Sequence, residues 1–237
     1  NDGKNWEKFQ LNLPIVPITD LAIKNDNLIA ATQGRSFWMI DDLTPMHQLT
    51  TKTFKEKTTL FTPKASYQLG GGNGRTSKTQ GTNHPGGVAV YFNVNEFIKK
   101  DTITMSFYDS NKKLIQKFSN HPNKKEKEKK LTVKKGSNVF YWNMMYPEAT
   151  KVKGMILWWA SLNGPMALPG NYTVSLSANT STLEKPFTIL KNPISETSLE
   201  DMKLQFDFIN DINIKISETH KALINVKNIK AQIKTLK

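Results

Sequence analysis

The central part of the chain, residues 60–192, is a series of short apolar runs separated by turn-forming residues. The runs are five to eight residues long and rich in β-branched and aromatic side chains. About seven strands at this spacing are typical of a β-sandwich. The predicted strands are Ala65–Leu69, Val88–Val94, Thr102–Tyr108, Lys113–Phe118, Ser137–Trp142, Tyr172–Ser177 and Leu183–Leu190.

Residues 195–237 change to a helical repeat, which predicts one long amphipathic helix of roughly 60 Å. Thr197 and Glu200 fit a capping box, and Pro193 lies just before them. Because the apolar stripe is longer than a small sandwich, we expect part of it to need a second helix, from further along the protein or from another copy. The stripe is Leu199, Met202, Phe206, Ile209, Ile212, Ile216, Leu223, Val226, Ile229, Ile233 and Leu236.

Residues 1–43 also predict β-structure. Two apolar runs, Leu21–Ile23 and Leu28–Thr32, flank the turn residues Asn25–Asn27, and this pattern predicts a hairpin. A further strand is expected at Ser36–Ile40, after the break at Gly34. Residues 44–59 are rich in Thr and Lys and lack periodicity, which predicts a linker. The domain organisation is therefore 1–43, linker 44–59, sandwich 60–194 and helix 195–237. The fold class is mainly β with a C-terminal helix.

The formal net charge of +13 is concentrated in the middle of the chain. Residues 1–62 are neutral, residues 63–195 carry +12 and the remainder carries +1. The densest run is almost all Lys and is interrupted by Glu126 and Glu128, without Arg or interleaved aromatics, so we interpret it as a solvated hairpin tip rather than a nucleic-acid site. Adhesion to an anionic polymer remains a third hypothesis. The run comprises Lys124, Lys125, Lys127, Lys129, Lys130, Lys134 and Lys135.

The sequence offers little for the common catalytic chemistries. It has no cysteine, and its four histidines are far apart, so we expect no thiolate or histidine metal site and no cofactor. The stretch Gly70–Gly74 lacks the Lys-Ser/Thr ending of a phosphate-binding loop and predicts a flexible loop. No run is long and apolar enough for a membrane-spanning helix. The absence of an initial Met predicts a mature or trimmed piece of a longer protein.

The first six residues resemble the end of an Asp-box, the S-x-D-x-G-x-T-W hairpin of neuraminidase-type repeats in β-propellers. Asn1 stands where the Asp would be, Gly3 matches the Gly, Asn5 replaces the Thr and Trp6 matches the Trp. In this motif a short polar side chain caps backbone N–H groups and the glycine permits a tight turn. The resemblance therefore implies a folding motif on the outside of a propeller.

Residues 18–43 resemble the closing blade of the sortilin-like, Asp-box-repeat β-propeller proteins that bacteria secrete. The matching segment includes Ala31, Thr32, Gly34, Arg35, Ser36, Phe37, Trp38, Asp41, Asp42 and Leu43, while Gln33 replaces the family histidine. The resemblance implies the C-terminal portion of a much larger protein. Its implied partners are the remaining propeller blades. Arg35 and Asp41 are expected to form an ion pair that holds the loop.

The resemblance continues beyond the propeller segment. Residues 137–147 look like the family's N-x-F-x-W-x-x-x-Y-P segment, and residues 168–174 look like its A-P-G-x-Y-T-V strand entry. Both imply an immunoglobulin-like sandwich similar to those of flagellar hook-capping proteins. Residues 197–237 resemble the helical segment that follows in the same proteins.

The function implied is a non-catalytic interaction or scaffold region of a secreted, periplasmic or cell-surface bacterial protein, with a protein or glycan partner. The alternative is an accessory part of a propeller glycoside hydrolase whose catalytic carboxylates lie in missing blades. A glycosidase needs two carboxylates about 5 to 9.5 Å apart across the scissile bond. Asp41 and Asp42 are adjacent, so on a strand they point to opposite faces and cannot form that pair.

The richest aromatic group lies between residues 141 and 159. We expect Trp142 and Tyr146 to pack in or on the sandwich core. Trp158 and Trp159 are adjacent, and on a strand one ring would face inward and the other outward. Because exposed aromatic rings stack on sugars, these two residues are the candidate ligand contacts.

Overall fold

The computed structural model describes residues 3–69, 81, 84–96, 100–123, 128–179 and 181–235. They form two compact units, Asn1–Thr50 and Thr51–Lys237. The fold is mainly β with a C-terminal helix, which confirms the predicted class. The units divide inside the segment 44–59, which also contains two short helices, α1 (Thr44–His47) and α2 (Thr51–Lys55).

The first unit is a three-stranded antiparallel sheet in the order β1 (Ile18–Lys24), β2 (Asn27–Thr32) and β3 (Phe37–Ile40). The predicted hairpin is confirmed: Asn25 and Asp26 both have positive φ, +51° and +58°, as a two-residue type I′ turn requires. All seven residues of β1 are exposed. Among the apolar residues described in this unit, only Leu43 is buried, so the sheet has almost no core of its own.

The second unit contains two sheets. The smaller has the order β10-β6-β4, and the larger has the order β5-β12-β11-β7-β8-β9. The pairs are antiparallel except β12 with β5 and β8 with β9, which are parallel. The strands are β4 (Thr58–Leu60), β5 (Ser66–Tyr67), β6 (Val88–Val94), β7 (Ile103–Tyr108), β8 (Leu114–Ser119), β9 (Lys129–Lys130), β10 (Gly136–Trp142), β11 (Gly170–Ala178) and β12 (Ser181–Leu190).

The two sheets face each other across one hydrophobic core. In β6 every second residue, from Val88 to Val94, is fully buried. The Phe107 ring of β7 stacks on the Trp142 ring of β10 with centroids 4.4 Å apart, which joins the larger sheet to the smaller one. Phe187 of β12 contacts both rings edge-on. Each of the seven predicted strands has a counterpart, whereas β4 and β9 were not predicted.

Helix α3 (Leu199–Thr235) is 37 residues long. Its cap differs from the predicted one. The Asp201 N–H donates to Ser198 Oγ (3.0 Å) and the Ser198 hydroxyl donates to Asp201 Oδ2 (2.7 Å), so Ser198 with Asp201 caps the helix, one residue later than the predicted pair Thr197 and Glu200. The predicted pair was wrong because Thr197 with Glu200 and Ser198 with Asp201 have the same three-residue separation. Only the residue at which the helix begins, Leu199, selects between the two pairs.

Only part of the predicted apolar stripe is half-buried. Met202, Phe206, Ile209 and Ile216 are half-buried, but Asn213 is the most buried residue of the helix. The other stripe members within the described part of the helix are exposed: Leu199, Ile212, Leu223, Val226, Ile229 and Ile233. From residue 225 onward every described helix residue is exposed. The stripe therefore splits into a packed face and an open one.

Candidate functional site

The connection between β10 and β11 consists of two antiparallel segments, residues 144–150 and 162–167, which we call the legs, and a turn between them, which we call the tip. Ala167 N–H donates to Met144 O (2.6 Å), Tyr146 N–H to Pro165 O (2.9 Å) and Ala149 N–H to Leu162 O (2.8 Å). We call residues 147–163 the aromatic loop, because its tip carries Trp158 and Trp159. These backbone hydrogen bonds hold the two ends of the aromatic loop together.

The legs approach so closely that one position must be glycine. A Cβ on Gly164 would lie 2.4 Å from Pro147 O and 2.5 Å from Tyr146 O. Both contacts are to backbone atoms, which cannot move aside without opening the legs. The absence of a side chain at Gly164 therefore allows the two legs to approach each other at the base of the aromatic loop.

Helix α3 holds the base of the aromatic loop with polar side chains. Asn213 Nδ2 donates to Pro147 O (3.3 Å) on one leg and to Asn163 O (3.4 Å) on the other. One turn later, Ser217 Oγ accepts from Thr150 N–H at 3.0 Å. His220 Nδ1 donates to Thr150 O. These contacts fix the loop against the helix without burying its tip.

This polar row was not predicted from the sequence, because Asn was assigned to the solvent faces of the helix. A signal was present: Asn213, Ser217 and His220 are spaced four and three apart, on the same face as Phe206 and Ile209. Polar residues on an otherwise apolar face mark a place where backbone groups, rather than side chains, are packed. Asn213 Oδ1 is buried without a hydrogen-bond partner in the described structure.

The tip of the aromatic loop presents three large apolar side chains to solvent. Trp159 is 100 % exposed, Trp158 is 88 % exposed and Ile156 is 79 % exposed. Ala160 N–H donates to Leu157 O (2.7 Å), so the two Trp occupy the centre of a tight turn. Trp158 has φ +47°, a conformation that is unusual for a bulky side chain.

This placement corrects the expectation that one Trp ring faces inward. Trp158 and Trp159 lie on a turn and not on a strand, so the alternation of a strand does not apply to them. Trp142, in contrast, is fully buried in the core, and Tyr146 packs against the core from its edge. The prediction that Trp142 and Tyr146 pack in or on the core is confirmed, whereas the predicted orientation of the Trp158 and Trp159 rings was wrong.

Tyr146 joins the base of the aromatic loop to the helix, with its ring 4.8 Å from that of Phe206. Burial, with a smaller effect of the Asp109 carboxylate, raises the pKa of Tyr146 to about 12. Burial also raises the pKa of Tyr172, whose hydroxyl donates to Leu168 O. Folding therefore favours the neutral phenol over the charged phenolate at both tyrosines.

The raised pKa of Tyr146 predicts a loss of stability at alkaline pH. Above about pH 10 the unfolded tyrosine releases its proton while the folded one keeps it, so the free energy of unfolding falls until about pH 12. We expect Tyr146→Phe to lose less stability than the parent between pH 9 and pH 11, measured by urea unfolding. Tyr67→Phe, at an exposed tyrosine, is the control. Equal alkaline losses in parent and Tyr146→Phe would contradict the assignment.

The residues of the Asp-box resemblance lie in the first unit, apart from Asn1, which is outside the described residues. Gly3 has φ +79°, and a Cβ there would lie 3.5 Å from the Trp6 ring. Trp6 itself is 87 % exposed. The glycine and the ring are thus neighbours.

The loop between β2 and β3 is held by hydrogen bonds. Gly34 has φ +81°, and Trp38 Nε1 donates to Arg35 O at 2.9 Å. The expected ion pair is absent, because no contact joins the side chains of Arg35 and Asp41 in the described structure. The indole of Trp38, rather than a charge pair, holds the loop.

An apolar groove of about 310 Å³ runs along the first unit. Polar surface is scarce in it, and its lining includes Phe9, Leu11, Leu21, Leu28, Trp38 and Met39. Several of these side chains are themselves more than half exposed. A face of this kind is typical of a surface that another segment covers.

The other expected sites contribute little. Within the Lys-rich run, Lys124, Lys125 and Lys127 lie outside the described residues, as does Gly70–Gly74. The backbone of Lys129 and Lys130 pairs with β8, and the ammonium of Lys129 contacts Glu148 at 3.2 Å.

Among the described residues, no group of three or more His, Asp or Glu side chains is arranged to hold a metal ion. None of the described helices is both long and apolar enough to cross a membrane.

Searches of protein-family models, of curated proteins and of solved structures find no match for this chain. The site is therefore defined by its geometry: a projecting aromatic tip on a base fixed by helix α3.

Proposed function

We propose that this chain is a non-catalytic interaction region of a larger secreted or cell-envelope protein, and that the aromatic loop is its contact with a partner. The observation that carries the proposal is the exposure of Trp158, Trp159 and Ile156 on a loop whose base is fixed. Exposed Trp pairs are costly to keep in water and are enriched at binding sites.

A protein partner fits this shape best. The two rings project from a tight turn, so they are suited to insertion into a pocket on the partner. Each buried Trp removes about 150–250 Å² from water. Because Asn213 and Ser217 hold the base of the loop, little of this gain is lost to ordering the backbone upon binding.

A glycan is the second candidate, because both faces of a fully exposed indole are open to stacking on a sugar ring. The two candidate partners differ in whether they contact Ile156 in addition to the indole rings of Trp158 and Trp159. A pocket on a protein covers Ile156 as well, whereas stacking on a polysaccharide uses only the indoles. Substitution of Ile156 therefore discriminates between the two partners.

The larger protein that we propose is a bacterial sortilin-like, Asp-box-repeat β-propeller protein. Its closing blade would be residues 1–43, and residues 60–194 would be an immunoglobulin-like sandwich. The exposed face of β1 and the apolar groove support an origin in a larger assembly of blades, which are the proposed partners of this unit. The alternative, an accessory part of a glycoside hydrolase, predicts that the full-length protein cleaves polysaccharides.

The proposal is tested by replacing the aromatic tip. We expect Trp158→Ala with Trp159→Ala to weaken partner binding at least about 30-fold, since the loss of a single hot-spot Trp already costs about 2 kcal/mol or more. Binding is measured by affinity electrophoresis on a polysaccharide panel and by pull-down from a cell-envelope fraction, followed by titration of the captured protein.

Ile194→Ala is the matched control, because Ile194 is 85 % exposed and lies outside the aromatic loop. It should bind as the parent does. Ile156→Ala should weaken binding to a protein and leave binding to a polysaccharide unchanged. Binding that survives the double Trp substitution would show that the aromatic loop is not the contact.

A further inference from the structure

Helix α3 carries a second apolar face on the side away from Tyr146 and the aromatic loop. At 3.6 residues per turn, Phe208 lies about 160° around the helix from Phe206, which packs on Tyr146. The side chains on this open face are 43 % to 67 % exposed. They are Leu204, Phe208, Ile212, Leu223, Val226, Ile229 and Ile233.

Most of this face follows a coiled-coil repeat. From Phe208 to Ile233 the positions alternate in steps of four and three, which are the a and d positions of heptads. The a positions are all β-branched. We call this row the seam, and its members are Phe208, Ile212, Lys215, Thr219, Ala222, Val226, Ile229 and Ile233.

The helix is electrically divided at its middle. Residues 199–218 contain five carboxylates and two lysines, a net charge of −3. Residues 219–235 contain four lysines and no carboxylate, a net charge of +4. Two copies of this helix side by side are therefore complementary only when they run in opposite directions.

The seam is also complementary to itself in that direction. When Thr219 faces Ala222 of a second copy, every a position faces a d position: Phe208 faces Ile233, Ile212 faces Ile229 and Lys215 faces Val226. A parallel pair would instead place Lys215 against Lys215, two like charges in the seam. In the antiparallel pair the two Lys215 are about 16 Å apart along the axis. Each then keeps its ion pair with Glu218 (2.7 Å).

We propose that two copies of this chain associate through the seam as an antiparallel helix pair with two-fold symmetry. The surface is separate from the aromatic loop, so the pairing stands or falls independently of the proposed function. In each copy, the groups that α3 contacts in its own chain, at Tyr146, Pro147 and Thr150, lie on the side of the helix opposite the seam. The exposed residues 225–235 of one copy would cover the acidic half of the other.

Disulfide trapping tests the direction, because the natural chain contains no cysteine. Ile212→Cys and Ile229→Cys variants of different size are mixed and oxidised. The antiparallel pair predicts disulfides mainly between the two different variants, since these positions face each other. Disulfides only between identical variants would indicate a parallel pair. The absence of cross-links in all combinations would also overturn the proposal.

Sedimentation equilibrium tests the surface. The parent should have about twice the mass of the 26.9 kDa chain. Ile229→Glu should weaken the dimer about 100-fold or more, because the substitution is present twice in each dimer. Ala231→Glu adds the same charge on the opposite face and should leave the dimer intact. A monomeric parent, or a dimer that Ile229→Glu does not affect, would show that the seam does not join two copies.

Discussion

Trp142→Ala is expected to lower the free energy of unfolding by about 3–5 kcal/mol. Trp142 is fully buried, and its indole lies 4.4 Å from the Phe107 ring and about 6 Å from those of Tyr172 and Phe187. These rings join the two sheets across the core. Removal of the indole leaves a cavity that β-strands held by backbone ladders cannot close.

Urea denaturation followed by far-ultraviolet circular dichroism measures this loss. Trp159→Ala makes the same chemical change at a fully exposed side chain and should alter stability by less than about 0.5 kcal/mol. Trp142→Phe should lose less than Trp142→Ala, since it keeps a ring and removes an indole N–H that has no partner in the described structure. Equal stability of Trp142→Ala and Trp159→Ala would contradict the role of Trp142 in the core.

Gly87→Ala is expected to prevent the second unit from folding stably. A Cβ at Gly87 would lie 2.1 Å from Trp142 O, a backbone atom of the neighbouring strand β10. The φ of +78° adds strain for any residue with a Cβ. Relief of the contact requires β6 and β10 to separate where Val88 pairs with Trp142. We expect a loss of several kcal/mol, comparable with the whole stability of a typical domain.

Two further glycines separate the steric clash from the backbone strain. Gly136 has φ +86° but no atom within 4 Å of an added Cβ, so Gly136→Ala should cost only about 1–2 kcal/mol. Gly81 has neither feature, and Gly81→Ala should be close to neutral. The yield of folded protein and the urea midpoint should therefore fall in the order Gly81, Gly136, Gly87. A Gly87→Ala protein as stable as Gly136→Ala would disprove the clash.

The strands were predictable where their side chains alternate. Strand β6 has the predicted bounds, Val88–Val94, because its buried residues recur at every second position. Strand β9 could not be predicted, since Lys129 and Lys130 have no apolar member. Their pairing with Phe118 and Ser119 depends on backbone groups that the neighbouring strand supplies.

The candidate site was predictable only in part. Trp158 and Trp159 were predicted as candidate ligand contacts because they are adjacent aromatic residues, but the exposure of both rings follows from a turn that residue type does not specify. The residues that hold the base of the loop, Asn213 and Ser217, lie 50 to 67 residues away in sequence from their partners. No local pattern around the loop could indicate them, because the contact exists only once the helix has packed.

By itself, the sequence determined the class of the fold, most of the strands, the first hairpin and the long helix. These features depend on periods of two and 3.6 residues and on turn chemistry, which act over a few neighbouring residues. Only the tertiary structure decided which face of helix α3 packs and which stays open, since both faces carry apolar residues. It also decided that the rings of Trp158 and Trp159 are both exposed. Both outcomes depend on shape and on distant backbone groups, and a short segment of sequence encodes neither.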